Sequence, residues 1–547
     1  STIGEYMKKV FIILFLFNIL LYSKTLDESL ISAVENNDIE KVKLYLDKGA
    51  NPNTLDFDDD RTLLMAASIE RYDDIVKLLI ENGADVNTKD KIGATALMYT
   101  AGNTNYEMVK FLLENGADVK IKDNTGKTVL YYSIKHNSFI QENAIKILNL
   151  LIKYGADVNT KDNYRESLLS ISYADSSYWK RNKEIFKVLV ENGFDLETRI
   201  ENGSYNDCSC DYDYNYGYNY DDDYYDYTPL MIAASRNDYD MVKFLVEKGA
   251  DVNAKTHYES EYSRVVTPLL LSLDRHHYES GTAEFLINNG ADINVRDDNG
   301  NTPLIYAAET HNTKVIELLI QKNADINAVN NDGSTALMLA VNNLETVKLL
   351  AEKGADVNFQ ASGSTALISA CKYRNRNIDV IKYLVSKKAD INAQDDEGYT
   401  ALNKTLDSMG ERLLGIRDFE IANFLIEQGA DVNIKNEGLY TPLIYLGMSE
   451  GNFNNKNFQE KRIKLAELLL EKGADINAQD YNGYTSLIWA CSTSGSRFAE
   501  PFVKFLVEKG ADVNIKNDYG ETALNQAEIL KLRGITGILK KAQRNRN

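Results

Sequence analysis

The sequence predicts an all-α solenoid of stacked helix–turn–helix units. Three observations carry the prediction. The string Gly-Ala-Asp-Val/Ile-Asn recurs at 83–87, 155–159, 249–253, 290–294, 354–358, 429–433, 473–477 and 510–514. Variants stand at 49–53, 116–120, 193–197, 323–327 and 388–392, which makes thirteen copies, commonly about 33 residues apart. About ten residues after each copy comes Thr-Pro/Ala-Leu followed by small residues, as in Thr228-Pro229-Leu230 with Ala233 and Ala234. Self-similarity at such a period is the mark of a repeat architecture, in which each unit buries its apolar face only against its neighbours. It replaces the three or four domains that 547 residues would otherwise suggest.

Each element of the unit has a local reason. Four of the six prolines follow a Thr in the second string. Pro in the first helical turn sacrifices no hydrogen bond, because that N–H has no partner in a helix. The Thr before it offers a hydroxyl as N-cap. A second helix precedes each Gly: Ile75-Val76-Lys77-Leu78-Leu79-Ile80 and Met241-Val242-Lys243-Phe244-Leu245-Val246 place apolar residues at helical spacing. The Gly then fits a left-handed C-cap, where a Cβ is unfavourable. Asn323 fills that place tolerably and Lys388 poorly.

These elements, with TPLxxAA in the first helix and GADVN after the second, closely resemble ankyrin repeats over about residues 25–547. The resemblance implies β-hairpin fingers projecting between units, with Asp297-Asp298-Asn299-Gly300 and Asp395-Asp396-Glu397-Gly398 as tips. It also implies that fingers and first helices share a concave, partner-binding face. Fourteen units are expected in one continuous stack over 24–547, with polar capping units at 25–53 and 518–547.

Met7, Lys8 and Lys9 precede an apolar run from Val10 to Tyr22. A short positive stretch before a 7–15-residue apolar core reads as a secretory signal, and spanning a bilayer takes about 20 apolar residues. Residues 7–23 are therefore expected to be a cleaved signal, residues 1–6 an upstream extension or cloning remnant, and the rest free of membrane spans. The protein would be exported, to a periplasm or to the medium. An uncleaved anchor is the alternative. With 61 Lys and Arg against 81 Asp and Glu, the net charge is −20. So acidic a chain is poorly suited to gripping nucleic acid. Four cysteines in 547 residues exclude a disulfide-built scaffold. Cys371 and Cys491 fill small-residue slots of first helices and are expected to be buried hydrophobes.

Extra residues at 136–143, 174–183, 274–281, 373–378, 407–418, 447–461 and 492–500 fall between the two helices of a unit and are expected to be surface loops. A different insertion, 204–227, extends a finger with nine Tyr and seven Asp and no basic residue. Without Leu, Ile, Val or Phe it cannot build a core. Three readings stand for it: a mobile loop, a binding arm whose Tyr supply contact area and whose Asp seek basic partners, and a metal site on Cys208, Cys210 and the Asp run. Cys-x-Cys without a second ligand pair is a weak metal signal.

No catalytic signature emerges. The five His form no His-Glu-x-x-His motif, Gly126-Lys127-Thr128 lacks the earlier Gly of a phosphate loop, and there is no Gly-x-Ser-x-Gly elbow. The expectation is a non-enzymatic, monomeric interaction scaffold without cofactor or metal, binding a protein with a basic surface. A secreted effector acting on another cell's proteins is the variant of that reading. Candidate contacts are the variable tip residues Tyr164, Tyr399, Tyr440, Tyr481, Tyr484 and Tyr519 with Asp396 and Glu397, together with Tyr212, Tyr214, Tyr216, Tyr218 and Tyr220 of the insertion. Tyr is a favoured hot-spot residue. The competing reading is that the tip rings only pack against neighbouring fingers.

Overall fold

The structure is a computed structural model that describes residues 11–13, 24–55, 60–135, 141–169, 176–199, 226–256, 265–273, 280–360, 363–372, 376–407, 414–449, 456–492 and 499–546. Its contacts gather into two compact units, 1–260 and 261–547. Each is an all-α repeat stack. Among the described residues the only β pairing is isolated bridges at finger bases, such as Lys122 with Thr128 and Val329 with Thr335.

In unit 1 the helix pairs run 24–35 with Ile39–Asp47, Leu63–Ile69 with Asp73–Glu81, and Ala96–Gly102 with Tyr106–Glu114. Val129–Lys135 with Gln141–Lys153, then Ser176–Glu191, and finally Pro229–Ser235 with Tyr239–Glu247 complete it. Unit 2 repeats the scheme from Pro268–Ser272 with Gly281–Asn288 to Ala523–Ile529 with Arg533–Arg546. First helices pack on first helices and second on second. The core is the set of inward residues the periodicity marks: Leu63, Leu64, Met65, Ile75, Val76 and Leu79 in one pair, all nearly inaccessible.

The caps follow the sequence. Thr62, Thr228, Thr267, Thr302, Thr335, Thr400 and Thr441 each accept the N–H three residues on, opening a first helix. Thr95 stands in the same place without that bond. Second helices open on Asp38, Asn105, Asp238, Asn312 and Asn343, a cap not anticipated from the sequence. At the other end Gly83 lies at φ +88°, with Ala84 N–H donating to Leu79 C=O. Lys388 is held at φ +66° in the same place. At Gly49, Gly83 and Gly116 an added Cβ would meet nothing within 4 Å, so the cost of a side chain there is the backbone conformation itself. Lys388→Gly is expected to stabilise by about 0.5–1 kcal/mol. An unchanged or lower urea midpoint would refute it.

Within each unit, the terminal Asn of a GADVN string commonly joins one repeat to the next. Asn87 accepts from Asp118 N–H at 2.8 Å and donates to Gly116 C=O at 3.0 Å. Asn53, Asn159, Asn358 and Asn433 do the same to the following unit. At 116–120 the place is taken by Lys120, whose ammonium cannot accept. Lys120→Asn is expected to raise stability by about 1 kcal/mol, read from the urea midpoint.

Three insertions depart in part from expectation. Ser176–Glu191 and Lys456–Glu471 are helices of 16 residues and Ile416–Glu427 one of 12, against 9 for Asp73–Glu81. In these three, part of the inserted chain therefore lengthens a second helix instead of forming a loop. The added turns have apolar surface to cover: Phe458 is buried, its ring 5.1 Å from that of Phe419. Two insertions also meet in the interior. Arg376 and Asp418 form an ion pair at 2.7 Å with side chains 4% and 0% exposed.

Candidate functional site

The fingers are built by one device used repeatedly. At the roots of most tips an Asp or Asn side chain accepts the backbone N–H four residues on, and at Asp90, Asp123, Asp162, Asp395, Asp480 and Asn517 also the one two residues on, which closes the turn. Asp480 accepts from Asn482 and Tyr484. Asp395 accepts from Glu397 and Tyr399. The free side of the same group reaches residue +9, on the first helix. Tyr99 donates to Asp90 at 2.5 Å, Tyr132 to Asp123 at 2.8 Å, Tyr306 to Asp297 at 2.7 Å, and Trp489 Nε1 to Asp480 at 2.7 Å. Lys404 pairs with Asp395 at 3.0 Å, and Asn436 donates to the Tyr445 hydroxyl at 3.1 Å. This offset of nine is legible in the sequence once Asp and aromatic positions are aligned across repeats.

Successive tips are joined to each other. In unit 2, Glu437 N–H donates to Glu397 C=O at 2.9 Å, Tyr481 to Gly438 at 3.0 Å, and Asp518 to Asn482 at 3.0 Å. Four tips, 395–399, 436–440, 480–484 and 517–521, thus form one hydrogen-bonded row. In unit 1, Asn124 donates to Ile92 and Asn163 to Thr125 in the same way. The stacking is close: a Cβ on Gly93 would come within 2.5 Å of Asn124, so glycine is required there by both φ and space.

The row divides the candidate residues. Tyr481 and Tyr519 stand out into solvent, 73% and 71% exposed, and so does Tyr164 of unit 1 at 57%. Tyr399, Tyr440 and Tyr484 are half-buried. Tyr399 and Tyr440 lie 6.4 and 5.6 Å from the buried Tyr445 ring. Tyr484 lies 4.7 Å from Trp489 and 6.5 Å from Tyr519. Asp396 and Glu397 are exposed, and Glu397 is 3.3 Å from Lys404. That ammonium sits 3.5 Å from the centre of the Tyr399 ring. Sequence reasoning did not find Lys404, Tyr445 or Trp489. Tyr212, Tyr214, Tyr216, Tyr218 and Tyr220, and the Cys208–Cys210 pair, lie outside the described residues. Cys371 and Cys491 are free and fully buried, their thiols pushed up to about 11 and about 12 by burial.

Tyrosines partly or wholly buried at the finger roots give the fold an alkaline limit. Burial, then the hydrogen bond to Asp90, pushes Tyr99 up to about 12. Tyr132 and Tyr445 are pushed up further, burial again leading. Their folded pKa values lie above the ordinary value near 10, so the unfolded chain loses those protons first. Their contribution is full below pH ~10 and is lost as pH rises above it. The melting temperature is expected to fall from about pH 10 upward, and Tyr445→Phe to flatten the fall. A pH-independent melt would contradict this.

The geometry defines a class of protein: a stack of helix pairs presenting a row of mutually bonded tips beside its first helices. Matches to the "Ankyrin repeats (3 copies)" family cover 14–90, 30–123, 89–162, 275–361, 357–436 and 456–541, and "Ankyrin repeat" covers 225–257. That is well over half of the sequence, and the chain belongs to the ankyrin repeat family. Similar proteins include human Ankyrin repeat and KH domain-containing protein 1, 43% identical over 76 residues, 14% of this chain and 3% of that one. A putative ankyrin repeat protein of fowlpox virus is 49% identical over 51 residues, 9% of this chain and 7% of its own length. Human Ankyrin repeat and SOCS box protein 6 is 31% identical over 131 residues, 24% of each chain. The chain thus spans less than a quarter of the length of these relatives. Among the described residues no helix is long and apolar enough to cross a membrane, and no three His, Cys, Asp or Glu are grouped to hold a metal.

Proposed function

We propose that this chain is a non-enzymatic protein-interaction scaffold that takes a protein partner with a basic surface on the tip row of unit 2. The observation that carries the reading is the row itself. Four tips are joined backbone to backbone and present Tyr481, Tyr519, Asp396, Glu397 and Asp518 outward. A surface held this way loses little ordering entropy on binding, so exposed Tyr contacts convert efficiently into affinity. The charge of −20 favours basic partners. Membership of a family of binding modules supports the class of function, and the surface residues would decide the partner. The scaffold is taken to be exported, on the strength of Met7-Lys8-Lys9 and the apolar run to Tyr22.

The test is capture from the source cell's envelope and medium with three baits: the parent chain, Tyr481→Ala/Tyr519→Ala, and a variant lacking 204–227. A partner held by the parent and lost by the double variant supports the tip row. Loss only on removal of 204–227 would transfer recognition to that segment. Equal retention by all three would remove both. Intact mass of the native protein decides export separately, and a retained Met7 to Tyr22 segment would sink signal cleavage.

A further inference from the structure

The repeats at 395–404 and 480–489 share one pattern of offsets. Each has a root Asp, an aromatic residue four on, and a first-helix residue nine on: Asp395, Tyr399 and Lys404 in the first, Asp480, Tyr484 and Trp489 in the second. In the first the chain supplies a cation of its own. Lys404 lies over the Tyr399 ring at 3.5 Å and between Asp395 and Glu397 at 3.0 and 3.3 Å. Lys127 over Tyr131, at 4.4 Å, shows the same preference in unit 1.

In the second repeat the lysine's place belongs to Trp489, which turns its N–H to Asp480 and sets its ring 4.7 Å from Tyr484. The half-buried indole also packs against the cluster of Ile444, Met448 and Ala478, and Tyr519 of the next tip meets Tyr484 edge-on at 6.5 Å. Carboxylates border these rings: Glu521, which accepts from Gln526 and, after burial itself, raises the Tyr484 pKa, and exposed Asp518. Among the described residues no Lys or Arg lies over Tyr484 or Trp489. Faces of tyrosine and tryptophan attract cations, tryptophan most strongly, and nearby carboxylates add to the attraction.

We propose that the Tyr484–Trp489 pair, with Tyr519 and Glu521 beside it, receives one lysine or arginine side chain of the protein partner. Lys404 is the chain's own picture of the occupant: an ammonium against a ring, with carboxylates at its sides. Trp489 takes the place of that ammonium without its charge, which is left to be supplied from outside. The proposal rests on the tip row being the binding surface.

The site carries its own reporter. The chain has two tryptophans, Trp179 and Trp489, so Trp179→Phe leaves Trp489 alone. The full-length Trp179→Phe protein is titrated with pentalysine, pentaarginine and pentaglutamate, following fluorescence and calorimetry together. Saturable, salt-weakened change in Trp489 emission with a basic peptide, and none with pentaglutamate, is the expected result. Tyr519→Ala and Glu521→Gln, both at accessible tip positions, are expected to weaken binding about threefold to tenfold. Glu40→Gln, exposed in unit 1, should leave it unchanged. A stronger response to pentaarginine or to pentalysine selects guanidinium or ammonium as the occupant. Binding that leaves Trp489 emission unmoved, affinity untouched by both tip variants, or no binding of either basic peptide overturns the proposal. A captured partner that is lost with Tyr481→Ala/Tyr519→Ala while both peptides fail leaves the scaffold standing without the cation site.

Discussion

Asp418→Ala is expected to lower stability by about 3–5 kcal/mol, because it strands a buried guanidinium. Arg376 stands just before the helix Ile378–Ser386 and reaches a carboxylate 42 residues away, at 2.7 Å. The same guanidinium donates to Thr405 and Lys404 carbonyls at 2.9 and 2.7 Å, closing the end of the helix Ala401–Leu406. Asp418 in turn accepts the N–H of Gly415 at 2.7 Å, opening Ile416–Glu427. One pair thus fastens three helices of two successive repeats. Removing either partner leaves the other charge in the interior, which costs far more than the pair contributes. Arg376→Met/Asp418→Leu is therefore expected to recover much of the loss. Urea unfolding of the three variants checks it. Single and double variants of equal stability would show that the charges are not coupled.

Arg462→Ala is the second large effect, a loss of about 3–5 kcal/mol. Arg462 is 1% exposed in the second helix Lys456–Glu471. It donates to the carbonyls of Leu446 and Gly447, near the end of the helix Pro442–Met448, and lies 3.9 Å from the centre of the Phe502 ring in the next repeat. Burial pushes its pKa down to about 9, so the side chain remains charged at neutral pH. Truncation would open a cavity and leave those carbonyls short of donors. Arg462→Lys is expected to restore little, since an ammonium cannot span both carbonyls and stack on the ring. If Arg462→Ala melts with the parent protein, the side chain does not hold these repeats together.

The first effect lies in chain that looks expendable when read along the sequence. Arg376 and Asp418 belong to stretches that only lengthen the repeat, and nothing local marks either as buried. Their partners are set by how one repeat lies on the next. The tip tyrosines show the same limit. Tyr399, Tyr484 and Tyr519 all occupy variable tip positions, yet Tyr519 stands in solvent, Tyr484 is half-covered by Trp489, and Tyr399 is taken by Lys404. Which ring is free depends on a first-helix residue nine positions on and on the following tip.

Read by itself, the sequence determined the repeat, its period, the Thr-Pro helix starts, the left-handed glycine ends and the buried face of each helix. Those are short-range properties: capping, φ preference and apolar periodicity act over a few residues and leave the same trace in every copy. Tertiary structure alone decided the lengthened second helices at three insertions, the ion pair of Arg376 with Asp418, the burial of Arg462, and the division of the tip aromatics into packed and presented rings. Each of these depends on distances between repeats, where burial and charge pairing are settled by neighbours that a linear pattern does not bring together.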